Sequence, residues 1–208
     1  MEESLTADGL RGVLHHPEHP DGSALALTHG AGSDHRSPLL VELARLFAAK
    51  GTLVLRYDLP YRQQGRKTPP MPAAQFRDRE GVVRAVEFLR PRATGKLIAG
   101  GQSYGGRQTA MAAAENAALA DGLLLLSYPL HPPGHPEKAR TTFFPDWRTP
   151  ALFVHGSRDP FGALDEMREA LKLIPARVEL LPADGAAHNL KGADAALIVE
   201  HLRALVLS

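Results

Sequence analysis

Cysteine is absent from the 208 residues, which excludes disulfides, a thiolate nucleophile and zinc–thiolate sites. A net charge of one sign is absent too. The chain carries 24 basic and 23 acidic side chains, so no overall field points to nucleic acid or an anionic membrane. No apolar run approaches the roughly 20 residues of a membrane-spanning helix. The opening Met1-Glu2-Glu3 has neither the basic nor the apolar region of a signal peptide, so a cytoplasmic location is expected. Internal repeats and low-complexity tracts are missing. No H-x-x-x-H or carboxylate spacing groups His29, His131, His135 and His155 into a metal site, and Gly100-Gly101 and Gly105-Gly106 fit neither G-x-G-x-x-G nor the P-loop. Neither a metal nor a cofactor is expected.

What is present is an alternation of short apolar runs and longer helical patterns. Leu10–His15, Ala24–Thr28, Thr52–Tyr57, Lys96–Gly100, Gly122–Ser127, Ala151–His155 and Arg177–Leu181 read as strands. Most do not alternate polar with apolar residues, as expected of strands buried on both faces. Pro38–Lys50, Gln75–Arg90, Tyr104–Ala118, Gly162–Leu173 and Asp194–Leu207 repeat apolar residues at helical spacing. The order predicts an α/β fold with a mainly parallel sheet of about seven strands and right-handed crossovers. A length of 208 residues suits one domain spanning 1–208. Two proline- and arginine-rich loops follow strands, Leu59–Ala74 and Pro129–Thr149.

The run Lys96 to Gly100 leads into Gly101-Gln102-Ser103-Tyr104-Gly105-Gly106 and then an alanine-rich helix. This G-x-S-x-G between strand and helix has the form of a nucleophile elbow, in which a serine sits on a strained turn and the flanking glycines let strand and helix approach. By composition alone the pattern arises about 0.07 times in such a chain, so its meaning depends on its surroundings. At the helix N-terminus the dipole and the amide of Tyr104 favour negative charge on a substrate oxygen.

In open parallel sheets ligands bind at the carboxyl ends of strands. After the strand ending at His155 comes Gly156-Ser157-Arg158-Asp159-Pro160, and after the last strand comes Asp184-Gly185-Ala186-Ala187-His188. Ser103, Asp159 and His188 thus follow in the order Ser, Asp, His, with His188 as base and Asp159 holding its tautomer. Asp-Pro also suits a turn or a helix cap, and Asp165 and Asp184 are the fallback acids. A second oxyanion donor is expected from the glycine-rich turn His29-Gly30-Ala31-Gly32, with Ala31 first and Gly32 second. Solvated surface is the first reading of Arg107; facing a substrate carboxylate or phosphate, or bracing that turn by pairing with Asp34 or Asp58, are the others.

Four phrases, Thr28-His29-Gly30-Ala31-Gly32, Arg56-Tyr57-Asp58-Leu59-Pro60-Tyr61, Gly101-Gln102-Ser103-Tyr104-Gly105-Gly106-Arg107 and Ser127-Tyr128-Pro129-Leu130-His131-Pro132-Pro133-Gly134, carry a resemblance. They resemble the α/β-hydrolases, and within them a small uncapped, dienelactone-hydrolase-like group of bacterial proteins. That group is similar to a vertebrate testis-expressed protein and to a subunit of a histone acetyltransferase complex. The resemblance runs from about Leu25 to His188. It implies the α/β-hydrolase fold and the triad, but no particular substrate.

Pro129–Thr149 is too brief for a large cap, so a shallow or loop-covered pocket for a small acyl substrate is expected. His29, Tyr61, Tyr104, Tyr128, Leu130, His131, Phe143, Phe144 and Trp147 are its candidate walls; packing over the sheet edge is the other reading of these side chains. The leading expectation is a serine hydrolase that cleaves a carboxylic ester or thioester and acts as a monomer or homodimer. A peptidase or amidase, and a hydrolase-fold interaction scaffold with little chemistry, are the alternatives.

Overall fold

The computed structural model describes residues 1–69 and 71–207. Pro70, inside the loop Leu59–Ala74, and Ser208 lie outside the described residues. Eight strands form one sheet: β1 (Glu2–Ala7), β2 (Leu10–His15), β3 (Ala24–Thr28), β4 (Leu53–Tyr57), β5 (Leu97–Gln102), β6 (Gly122–Leu126), β7 (Ala151–Gly156) and β8 (Val178–Ala183). Their order is β1-β2-β4-β3-β5-β6-β7-β8, and pairing is parallel from β4 onward and antiparallel for β1/β2 and β2/β4.

The expected seven strands are therefore eight. The added one, β1, is almost wholly exposed and polar, so no buried apolar run announces it. It folds back on β2 through Asp8-Gly9, both at positive φ, which a two-residue hairpin turn requires. Among the strands of the expected set, β3, β5, β6 and β7 sit in the sheet interior and are buried almost end to end.

Helices α1 (Pro38–Ala49) and α6 (Ala195–Val206) cover one face, burying Leu40, Phe47 and Leu202 against Leu25, Ile98 and Leu152. Beyond the four-residue α2 (Pro60–Gln63), helices α3 (Phe76–Leu89), α4 (Tyr104–Glu115) and α5 (Leu164–Leu171) cover the other. Val86, Ala110 and Met167 there meet Ala26, Ala99 and Phe153. Burial of apolar surface on both faces, at roughly 25 cal/mol per Å², fixes the register of the central strands. The carboxyl ends of β3, β5, β7 and β8 consequently lie along one edge.

Candidate active site

The elbow is built by close approach. A side-chain carbon on Gly105 would stand 2.4 Å from the His29 carbonyl oxygen, and one on Gly101 would stand 2.7 Å from the backbone of Gly105 and Gly106. Only glycine lets strand end, helix start and β3 loop meet there. Ser103, between β5 and α4, takes φ +49° and ψ −114°, which a non-glycine residue holds only under constraint. The constraints are its own amide donating to Leu126 O at 2.8 Å and its carbonyl accepting from Arg107 N at 2.9 Å.

Ser103 Oγ lies 2.7 Å from His188 Nε2, and His188 Nδ1 lies 2.8 Å from Asp159 Oδ2. A carboxylate only accepts, so Nδ1 carries the imidazole proton and Nε2 is left to accept from the serine hydroxyl. Asp159 is buried, whereas His188 keeps 24% of its side chain exposed towards solvent. Asp159 also begins a turn, as its neighbour Pro160 suggests, because its Oδ1 accepts from Phe161 N at 2.9 Å. The turn and the contact with His188 use different oxygens of one carboxylate. The fallback acids lie elsewhere: Asp165 is exposed on α5 and pairs with Arg168, and Asp184 is exposed on the β8 loop.

Tyr104 is the first residue of α4, so its amide has no acceptor within the helix. Across the elbow, Gly30 approaches until a carbon on it would stand 3.4 Å from Ser103 Cβ. The next amide, that of Ala31, has no backbone acceptor among the described residues. Gly30, Ala31 and Ser33 line a cleft of about 800 Å³ together with Gln102, Ser103 and His188; Gly32, at φ +76°, does not. The start of α1 (Ser37, Pro38, Leu39, Glu42) forms one wall, and the loop from Ala187 to Ala193 the other. Among the described residues no group of three or more His, Asp or Glu side chains is arranged to hold a metal ion.

A family model described as an alpha/beta hydrolase domain matches residues 21–196. The chain belongs to the α/β-hydrolase family. Solved structures share the fold of this α/β-hydrolase. A dienelactone hydrolase from Anabaena variabilis is 20% identical at TM-score 0.78, over 99% of this chain and 98% of that one. TT1662 from Thermus thermophilus is 23% identical at TM-score 0.74, over 97% of each chain. Est1E from Butyrivibrio proteoclasticus is 17% identical at TM-score 0.74, over 98% of this chain and 96% of that one.

The expected pocket walls need correction in this α/β-hydrolase. His29, Tyr61, Tyr128, Leu130, His131 and Phe144 are all buried and none lines the cleft. His29 has both ring nitrogens occupied, Nδ1 donating to Gly30 O and Nε2 accepting from Leu59 N, and burial lowers its pKa. Tyr61 lies edge-on between His29 and Tyr104, and burial pushes its hydroxyl up to about 12. Tyr128, Phe144 and Trp147 pack with Phe153 beneath the sheet edge, where aromatic surface is removed from water. Leu130 abuts Gly162, and His131 bonds to Pro132 O and Glu166. Packing, not substrate contact, accounts for these side chains.

Arg107 pairs with neither Asp34 nor Asp58. Asp34 is held by Arg36 and Arg62, and Asp58 by Arg11 and His35. Burial pushes Asp58 up, but hydrogen bonds from His35 and Arg11 outweigh it and hold the carboxyl below its usual range. It is His35, then, that ties the β3 loop to the end of β4.

Residues that the sequence pattern did not single out complete the surroundings. Phe161 stacks on the His188 ring, with centroids 4.2 Å apart and planes tilted by 33°. Asp78 of α3 accepts from the Tyr104 hydroxyl at 2.7 Å and from Tyr61 N at 3.1 Å, and burial raises its pKa. Ser37, Glu42, Asn189 and Lys191 rim the cleft. Only Phe161 had a local signal, as the residue two beyond the Asp that opens an Asx turn.

Proposed function

We propose that this protein is a serine hydrolase that cleaves carboxylic esters or thioesters through an acyl-enzyme. The observation that carries the reading is the continuous path Ser103 Oγ, His188 Nε2, His188 Nδ1, Asp159 Oδ2, with steps of 2.7 and 2.8 Å. Ser103 Oγ attacks the substrate carbonyl carbon while its proton passes to His188 Nε2. Asp159 stabilises the resulting imidazolium and keeps its orientation. The amides of Tyr104 and Ala31 receive the negative oxygen, as fixed dipoles that need no rearrangement. Collapse of the tetrahedral intermediate breaks the bond to the leaving alcohol or thiol, which takes the proton from His188. Water then attacks the acyl-serine by the same route, giving the carboxylic acid and free Ser103.

The cleft supports a small or accessible acyl group. Its lining includes the short side chains Gly30, Ala31, Ala187, Gly192 and Ala193, and only two three-residue 3₁₀ turns, Pro136–Lys138 and Phe144–Asp146, stand between β6 and β7 among the described residues. Hydrolysis of p-nitrophenyl acetate, butyrate and octanoate tests the reading. Turnover that favours the short esters and disappears in Ser103→Ala is expected; equal rates for Ser103→Ala and the unaltered protein would overturn it.

A further inference from the structure

The Leu130-His131-Pro132-Pro133-Gly134 segment is the most distinctive phrase in the sequence, yet none of it lines the cleft. Its contacts lead to the site by another way. The amide of His131 donates to the carbonyl of Phe161 at 3.0 Å, and Leu130 fills the space beside Gly162, where an added carbon would meet Leu130 Cβ at 3.0 Å. The His131 ring is buried, with Nδ1 donating to Pro132 O at 2.8 Å and Nε2 lying 3.2 Å from Glu166 Oε2. The same Glu166 oxygen accepts from Ala163 N at 2.7 Å. Behind the segment, Leu130 O accepts from Arg140 N at 2.7 Å, and the Tyr128 hydroxyl donates to Arg140 O. The segment thus meets the turn from Asp159 to Ala163 directly at Phe161 and Gly162, and reaches Ala163 through Glu166.

Phe161 is where that grip meets the candidate triad. Its amide occupies Asp159 Oδ1, which leaves Oδ2 aimed at His188. Its ring covers one face of the imidazole at 4.2 Å. An imidazole hinged on two rotatable bonds in a loop needs such a surface to stay in line with Ser103, because a displacement of about 1 Å costs up to 100-fold in rate.

We propose that Phe161 is a positioning residue that sets both the acid and the base, and that the Leu130–Gly134 segment is its mount. The inference rests on the proposed serine chemistry for its kinetic consequences but not for its geometric ones. Phe161→Ala, Phe161→Tyr and His131→Ala are compared with the unaltered protein by kcat and KM on a short p-nitrophenyl ester, by melting temperature, and by the downfield proton resonance of His188 Nδ1–H. Phe161→Ala is expected to lower kcat about 10- to 100-fold with KM nearly unchanged, and to lose the downfield resonance. Phe161→Tyr restores both, since it keeps the ring against His188, the backbone amide on Asp159 being present in every variant. His131→Ala falls between them, and Phe161→Ala/His131→Ala together are no worse than Phe161→Ala alone. A Phe161→Ala protein that keeps its resonance and its kcat overturns the proposal, as does a Phe161→Tyr protein as impaired as Phe161→Ala at an unchanged melting temperature. If the unaltered protein shows no ester hydrolysis, the serine chemistry fails, and the resonance in Phe161→Ala against Phe161→Tyr still decides the positioning.

Discussion

The hydroxyl of Tyr104 donates to Asp78 Oδ2 at 2.7 Å, joining the first residue of the elbow helix to α3 through two buried side chains. The bond anchors the first residue of α4, whose amide is proposed to receive the oxyanion. Tyr104→Phe keeps the ring and strips a buried carboxyl oxygen of its hydroxyl partner, while Tyr61 N stays on the other oxygen. The expected cost is about 1–3 kcal/mol in a urea titration. A change under about 0.5 kcal/mol would mean that water replaces the hydroxyl.

The acid is the second point to test. Asp159→Asn removes the charge that stabilises His188 as an imidazolium and allows the amide to donate where it should accept. Loss of roughly 10³- to 10⁴-fold in kcat is expected, with Asp165→Asn and Asp184→Asn unaffected, read by ester hydrolysis. Full activity in Asp159→Asn, or loss in either of the other two, would move the acid elsewhere.

Gly105 offers a steric test. A methyl group there would sit 2.4 Å from a backbone carbonyl, that of His29, rather than against a flexible side chain. Gly105→Ala therefore pushes the β3 loop and the elbow apart. A lower melting temperature, corresponding to about 1–3 kcal/mol, together with loss of ester hydrolysis, is expected. An active, equally stable Gly105→Ala protein would show that the loop and elbow need not approach so closely.

Three buried histidines make stability depend on pH. His15 accepts from Arg56 Nε at 2.7 Å, and burial, then the Arg56 charge, lowers its pKa from the ordinary 6.5 to about 4. Burial lowers His29 and His155 in the same direction. Between pH 6.5 and about 4 the unfolded chain then binds protons that the folded His15 refuses, so stability falls as the pH drops. Urea midpoints at pH 7 and pH 5 are expected to differ less in His15→Gln than in the unaltered protein. An equal difference would place the proton uptake on other groups.

Much of this arrangement is legible in the sequence because it is local or ordered along the chain. The runs that become β3, β5, β6 and β7 are apolar along most of their length, since helices cover both faces. The glycines around Ser103 declare a close approach before its partners are known. What escapes is set by tertiary neighbours. The polar strand β1 is held by pairing with β2, not by a buried face, although Asp8-Gly9 marks its turn. Tyr128 and Phe144 follow a strand end, as pocket walls do, yet their rings turn under the sheet towards Phe153. Asp78 lies 26 residues from Tyr104 and Phe161 lies 27 from His188, and no spacing rule links them across helix and loop.

All of the proposed chemistry depends on Ser103 as the nucleophile. Incubation with a fluorophosphonate, followed by intact-mass and peptide mass spectrometry, measures this without knowledge of the substrate. One adduct on Ser103 is expected, absent in Ser103→Ala and formed much more slowly in His188→Ala. No adduct on the folded protein, or an adduct that persists in Ser103→Ala, would contradict it.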